Sequence, residues 1–336
     1  MNTKETNSQK TPKLDLKDKK LIYHLSLNSR QSNTQLAKKV HLSKNSIKYR
    51  IERLTKLGII KQFSAVINLG SVKCDTFTML LKFNEDIYKN PKILNFLKNY
   101  PYADWIAILS GDWDIFIEFA AKDLEHMKNI VSEIQKEFGK NLNSYQLFFS
   151  RDTVKVEHLI EDFYKNLNFE QIPLHTREFK QLELDKKDKI LLNLLAENSS
   201  LDFIQISKKT NLSLDTIRYR IKKLVENGII IKFFPEISLS KLGYTEYLYT
   251  LKLKNISQET LKKLKQELKQ NTNITYCFYD FSSSSFTFVC AFPSNDQIDN
   301  LTRKLRNEYF NIIESQNYLI IKDQILFNLF PKGLIE

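Results

Sequence analysis

The chain has 336 residues, 42% of them hydrophobic, and a formal charge of +12 from 51 Lys and Arg against 39 Asp and Glu. That length allows two to four domains, each with a real core, while three cysteines (Cys74, Cys277 and Cys290) without a C-x-x-C pair exclude a disulfide framework and zinc spacing and read as ordinary strand residues. No apolar run reaches the ~18 residues a membrane helix needs and residues 1–13 lack an apolar signal core, so a soluble cytoplasmic protein is expected.

Charge is unevenly distributed: residues 1–63 carry +11, residues 64–180 carry −3, residues 181–233 carry +3 and residues 234–336 carry +1. A positive block beside near-neutral segments suggests a module for a polyanion next to modules with another task. Residues 1–13 read as a disordered basic tail.

From residue 14 the chain states one unit that it later repeats. Residues 14–63 and 184–233 align at a constant offset of 170 without a gap, with 23 of 50 positions identical. Asp15 with Asp18, and Asp185 with Asp188, place a cap and a first-turn carboxylate at the start of a helix near Leu16 and Lys186. Leu21, Ile22 and Leu25 recur at helical spacing as Leu191, Leu192 and Leu195. A second short helix carries Lys38 and Lys39, matched by Lys208 and Lys209, and ends near Leu42 and Leu212. Ser43 and Ser213 are placed to cap a third helix.

The third helix, 44–57, buries Ile47, Ile51 and Leu54 and turns Lys44, Asn45, Lys48, Tyr49, Arg53 and Lys56 outward until Gly58 stops it. Two helices joined by a short turn, the later one basic, form the geometry that lays a recognition helix in a DNA major groove. Residues 59–69 are expected to fold back as a small strand pair, the wing. The bland alternative is a three-helix packing module with a solvated charged face. In the second copy Lys44-Asn45 becomes Leu214-Asp215, so weaker or different DNA contact is expected there.

After each unit the pattern runs strand (76–83, 247–253), helix (90–99, 258–271), two strands (104–110 with 114–120, 274–280 with 286–291), helix (124–138, 296–309) and strand (144–149, 318–327). This is the ferredoxin-like βαββαβ order. Its four-stranded sheet leaves one face needing cover, and two such sheets in one chain can cover each other.

The Gly-Ile-Ile ending, the wing junction and Gly111-Asp112-Trp113-Asp114 between two strands resemble the Lrp/AsnC, or feast/famine, regulators. The resemblance implies an α+β chain: a winged helix-turn-helix plus a ferredoxin-like βαββαβ domain, the pair duplicated in tandem. The domains would be 14–75, 76–162, 183–245 and 246–332, with a linker at 163–182. Family members dimerise and assemble further, so this chain looks like a fused dimer whose copies self-associate. The resemblance also implies an effector such as an amino acid at Gly111, Asp112, Trp113 and Asp114, with Asp114 accepting from an ammonium group; the residues alone leave a structural turn capped by Asp equally open. The aligned second-copy stretch, Ser282 to Ser285, departs from the pattern, so at most one half per chain is expected to bind an effector.

The expected DNA-binding residues are Lys38, Lys39, Ser43, Lys44, Asn45, Ser46, Lys48, Tyr49, Arg50, Arg53 and Lys56. From the second copy they are Lys208, Lys209, Thr216, Arg218, Tyr219, Arg220, Lys222 and Lys223. Phosphate contacts fall to Lys38, Lys39, Arg50, Arg53 and Lys56, and base edges to Lys44, Asn45, Ser46, Lys48 and Tyr49. The partner is double-stranded DNA, in a site whose two halves need not match. His24, His41, His126, His158 and His175 form no metal or base–nucleophile spacing, and no phosphate loop, G-x-S-x-G or C-x-x-C occurs, so no cofactor, metal or catalytic residue is expected. Two alternatives stay open: an enzyme like the siroheme decarboxylases, which share this two-domain plan, and a DNA-free interaction scaffold.

Overall fold

The computed structural model describes residues 12–150, 152–157, 159–167, 169, 182–254 and 256–335; most of the expected tail and linker, with His158 and His175, lies outside them. The first unit is α1 (Leu16–Leu27), α2 (Asn33–Val40) and α3 (Lys44–Lys56). Each starts on the side chain its sequence supplies: Asp15 and Ser32 close capping boxes with Asp18 and Gln35, and Ser43 accepts from the Ser46 amide. His41 turns the chain between α2 and α3 with φ +56°, and Gly58 ends the unit with φ +69°, a left-handed conformation glycine adopts freely. Ile47 and Leu54 are fully buried, whereas Ile51 is only partly so.

The wing departs from expectation. β1 (Ile60–Ile67) does not fold back on itself; further along the chain, after α6 (Lys186–Glu197), α7 (Phe203–Thr210) and α8 (Leu214–Glu226), lies its twin β7 (Ile230–Ile237), and the two strands pair antiparallel as a two-stranded ribbon. The register matches Ile60 with Ile237 and Ile67 with Ile230, so each strand meets its own copy in reverse. Alternate residues of a strand face opposite sides, and both sides of this ribbon are used. Ile237 and Leu239 complete the core of the first helical unit, while Ala65 and Ile67 complete that of the second.

The remaining strands are β2 (Asp75–Phe83), β3 (Ala103–Ser110), β4 (Ile115–Ala121), β5 (Leu142–Phe149) and β6 (Asp152–Val156), then β8 (Thr245–Leu253), β9 (Ile274–Asp280), β10 (Ser285–Phe292) and β11 (Ile313–Phe327). They form one nine-stranded sheet in the order β5-β2-β4-β3-β11-β8-β10-β9-β6. The expected last strands are too short. β11 runs along β8 and then along β3, and β5 with its continuation β6 runs along β2 and then β9, so the final strand of each half crosses to the other half. Because the two ends of the strand order are successive pieces of one strand, the sheet curls back on itself.

Curling gives the sheet an inner face shared by both halves, with Leu80, Leu109, Phe116, Phe148, Leu248, Phe278, Val289 and Leu319 in one cluster. The two sheets thus cover each other as expected, and they are also hydrogen-bonded into one. The outer face is covered by α4 (Pro91–Asn99) and α5 (Leu124–Phe138) on one half, and by α9 (Gln258–Gln270) and α10 (Asn295–Glu308) on the other. Cys277 and Cys290 sit in strands; Cys74 lies just before β2, where burial pushes its thiol up to about 11. Among the described residues no helix is long and apolar enough to cross a membrane.

Candidate nucleic-acid interface

α3 presents its first turn and one flank to solvent because its apolar positions are spent on the core. Ser43, Lys44, Asn45, Lys48, Tyr49 and Lys56 are exposed, Tyr49 at 65%, and Ser46 is half-buried beside the cap. Lys38 and Lys39 on α2 are exposed at the same end of the unit. Lys48 lies 3.9 Å from Glu52, with both side chains about two-thirds exposed. Solvent-exposed pairs of this kind contribute little, so Lys48 can leave Glu52 for a phosphate or base.

Arg50 and Arg53, both expected at phosphate, are turned toward α1. Arg50 Nη1 donates to Asp15 at 2.8 Å and to Asp18 at 2.6 Å, and Arg53 Nη2 donates to the other Asp18 oxygen. The Asp18 side chain is only 1% exposed. Burying that carboxylate is costly unless it is paired, and two guanidinium groups meet this requirement. These arginines tie α3 to α1.

The second unit repeats the device: Arg220 donates to Asp185 at 2.9 Å and Asp188 at 2.7 Å. The hydrogen bond to Asp188 raises the Arg220 pKa, and the Asp188 amide with Arg220 holds Asp185 below its usual value. The signal was present in the sequence, since Asp15, Asp18 and Arg50 recur together as Asp185, Asp188 and Arg220. Spacings of 32 and 35 residues hid it from any helical-face argument.

The surface of α8 differs from that of α3. Lys208, Lys209, Tyr219 and Lys222 are exposed, while Thr216 and Lys223 are half-buried. Arg218 lies 3.2 Å from Asp215 in another exposed pair, which contributes little, and its guanidinium lies over the Phe203 ring at 5.4 Å. Leu214 and Asp215 occupy the places of Lys44 and Asn45. Sequence reasoning missed Arg30. Its guanidinium reaches across the ribbon to the carbonyls of Ser199 at 2.8 Å and Leu201 at 3.1 Å, and stacks on Phe203 and Phe233.

The turn from Gly111 to Asp114 is built as a joint. The Asp114 carboxylate, expected to meet an ammonium group, accepts from the Phe83 amide at 2.7 Å. Gly111 has φ +138° with Leu319 of the other half against it, where a Cβ would lie 2.5 Å from Leu319 Cδ2. Asp112 accepts from Asn317 at 3.3 Å, and Trp113 packs on the inner cluster. In the second half the Asp280 carboxylate collects Ser282 and Ser283 to shape the equivalent turn.

A winged helix-turn-helix DNA-binding model matches residues 14–61 and 184–231. An HTH-type transcriptional regulator of Pyrococcus furiosus is 30% identical over 125 residues, which are 37% of this chain and 82% of that protein. A regulator of the same description from Pyrococcus abyssi is 27% identical over 146 residues, 43% of this chain and 97% of the relative. Along its full length the fold is similar to the siroheme decarboxylase NirDL, with a TM-score of 0.60, 96% of each chain covered and 11% identity. The chain belongs to the HTH-type transcriptional regulators, with the Lrp/AsnC pairing of a winged helix-turn-helix and a βαββαβ domain present twice in one polypeptide.

Proposed function

We propose that the chain is a sequence-specific DNA-binding transcription regulator of the Lrp/AsnC type in which the first helical unit supplies most of the recognition. The observation that carries this reading is the exposed face of α3, where Lys44, Asn45, Lys48 and Tyr49 project from a helix whose own arginines are occupied elsewhere. Lys38, Lys39 and Lys56 are placed to position the backbone while the first turns of α3 read base edges. In the second unit, Lys208, Lys209 and Lys222 keep a weaker phosphate role, and Leu214 and Asp215 oppose tight groove contact.

The protein works in the cytoplasm, as pseudo-dimers that associate further. A small effector such as an amino acid would modulate that association; at Gly111 to Asp114 it would meet Asp112, the backbone and the Oδ1 of Asp114, whose Oδ2 accepts from the Phe83 amide. The enzyme reading finds less support. The cavity between ribbon and sheet, about 150 Å³ and lined by Glu118, Glu157, Glu236 and Glu246, is too small for a tetrapyrrole. The test is selection of bound fragments from genomic DNA with the full chain, followed by fluorescence anisotropy on the selected site. The double variant Lys44→Glu with Lys48→Glu should lose binding at unchanged circular dichroism; undiminished binding would reject the assignment.

A further inference from the structure

The β1–β7 ribbon and the curled sheet enclose a cavity of about 150 Å³, room for a molecule of roughly six heavy atoms. Its walls include Trp105 and Tyr276, which meet edge to face with centroids 5.9 Å apart, together with Phe234 and Phe327. Four carboxylates line it: Glu118, Glu157, Glu236 and Glu246.

Two of the four are balanced. Lys61 lies 3.0 Å from Glu236, and Lys155 lies 3.5 Å from Glu157. Among the described residues no cation comes within ion-pair distance of Glu118 or Glu246. Glu118 is only 7% exposed; its Oε2 accepts from the Tyr276 hydroxyl at 2.5 Å, and among the described residues none donates to its Oε1. Burial, and Glu118 acting as a like charge, raise the buried Asp104 carboxyl well above its usual value, and among the described residues its Oδ1 has no partner. Trp105 Nε1 is a buried donor with no acceptor.

Excess carboxylate in an aromatic-walled space is the complement of a compact cation. An ammonium group can bond the free oxygen of Glu118 while its charge lies against the Trp105 and Tyr276 ring faces. A zwitterion fits worse, because its carboxylate would face the remaining glutamates. We propose that this cavity is a binding site for a small organic ammonium ion with a short apolar body, held by Glu118 and Glu246. The site is independent of the DNA-binding reading.

The test is calorimetric titration of the full chain with n-butylammonium chloride at about pH 8, where alkylammonium is protonated, alongside n-butanol and zwitterionic norvaline. One site per chain with a dissociation constant below about 1 mM, a tenfold or greater loss in Glu118→Gln and in Glu246→Gln, and no heat from butanol support the site. Glu246 is less buried, so Glu246→Gln decides the matter if Glu118→Gln fails to fold. Absence of butylammonium binding, equal binding of butanol, tighter binding of norvaline, or unchanged affinity in a folded variant would each overturn it.

Discussion

Ser29 and Ser199 face each other with their hydroxyl oxygens 3.5 Å apart, and they are counterparts 170 positions apart in the repeat. Contact between equivalent residues places them at a pseudo-twofold axis. Their amides donate into the ribbon, Ser29 to the Phe233 carbonyl at 3.0 Å and Ser199 to Phe63 at 2.8 Å. The symmetry is broken beside them, where Arg30 crosses to the second unit and its counterpart Ser200 bonds to the neighbouring Asn198.

Charge reversal on the two recognition helices should give unequal results. Lys48→Glu is expected to cut DNA affinity tenfold or more, since Lys48 stands among the α3 residues that face base edges. Arg218→Glu should cost severalfold less, because Leu214 and Asp215 replace Lys44 and Asn45 beside it. Anisotropy titrations at several salt concentrations decide between this and an equal loss.

Asp18→Asn should destabilise the chain by about 3 kcal/mol. It leaves Arg50 and Arg53 without their shared anion and opens the capping box of α1. Urea unfolding measures the change, and a midpoint unmoved from that of the parent chain would show that the arginines do not depend on Asp18.

Gly111→Ala should lower stability by roughly 1–3 kcal/mol. The residue must hold φ +138° with a methyl group 2.5 Å from Leu319 Cδ2. Since that contact joins the two halves, thermal unfolding should also become less cooperative. An unchanged transition would contradict the close approach.

Burial, followed by the neighbouring hydroxyl of Tyr276 acting in the opposite sense, leaves the Glu118 carboxyl pushed up to about 7 from the usual 4.5. Between those values the folded chain keeps a proton that the unfolded chain has released. Stability from this group is therefore greatest below about pH 4.5, falls as pH rises, and is lost above about 7, a decline on the order of 3 kcal/mol. The raised Asp104 works in the same direction. Urea midpoints from pH 5 to 8 should fall for the parent chain and flatten in Glu118→Gln; parallel profiles would remove Glu118 as the cause.

Residues 1–168 made alone should not yield a folded monomer. Their helical core lacks Ile237 and Leu239, and β1 lacks its partner. Sedimentation should find dimers or aggregates, and a stable monomer would contradict the exchange of strands.

How much was legible follows from the range of the forces involved. Helix starts at Asp15, Ser43, Asp185 and Ser213, the stop at Gly58 and the βαββαβ order were readable because caps, turns and hydrophobic period act within a few residues. The exposed cations of α3 were readable for the same reason. What tertiary structure alone decided was the choice of partner. A strand such as β1 carries its hydrogen-bonding groups without specifying who receives them, and β7 meets it across 170 residues. Arg50 could serve phosphate or Asp18, Asp114 an ammonium or the Phe83 amide, and only packing brought the second of each pair within hydrogen-bond reach. Local pattern determined the elements and the repeat. The joining of two repeats into one ribbon and one sheet was decided by burial, which depends on which surfaces meet.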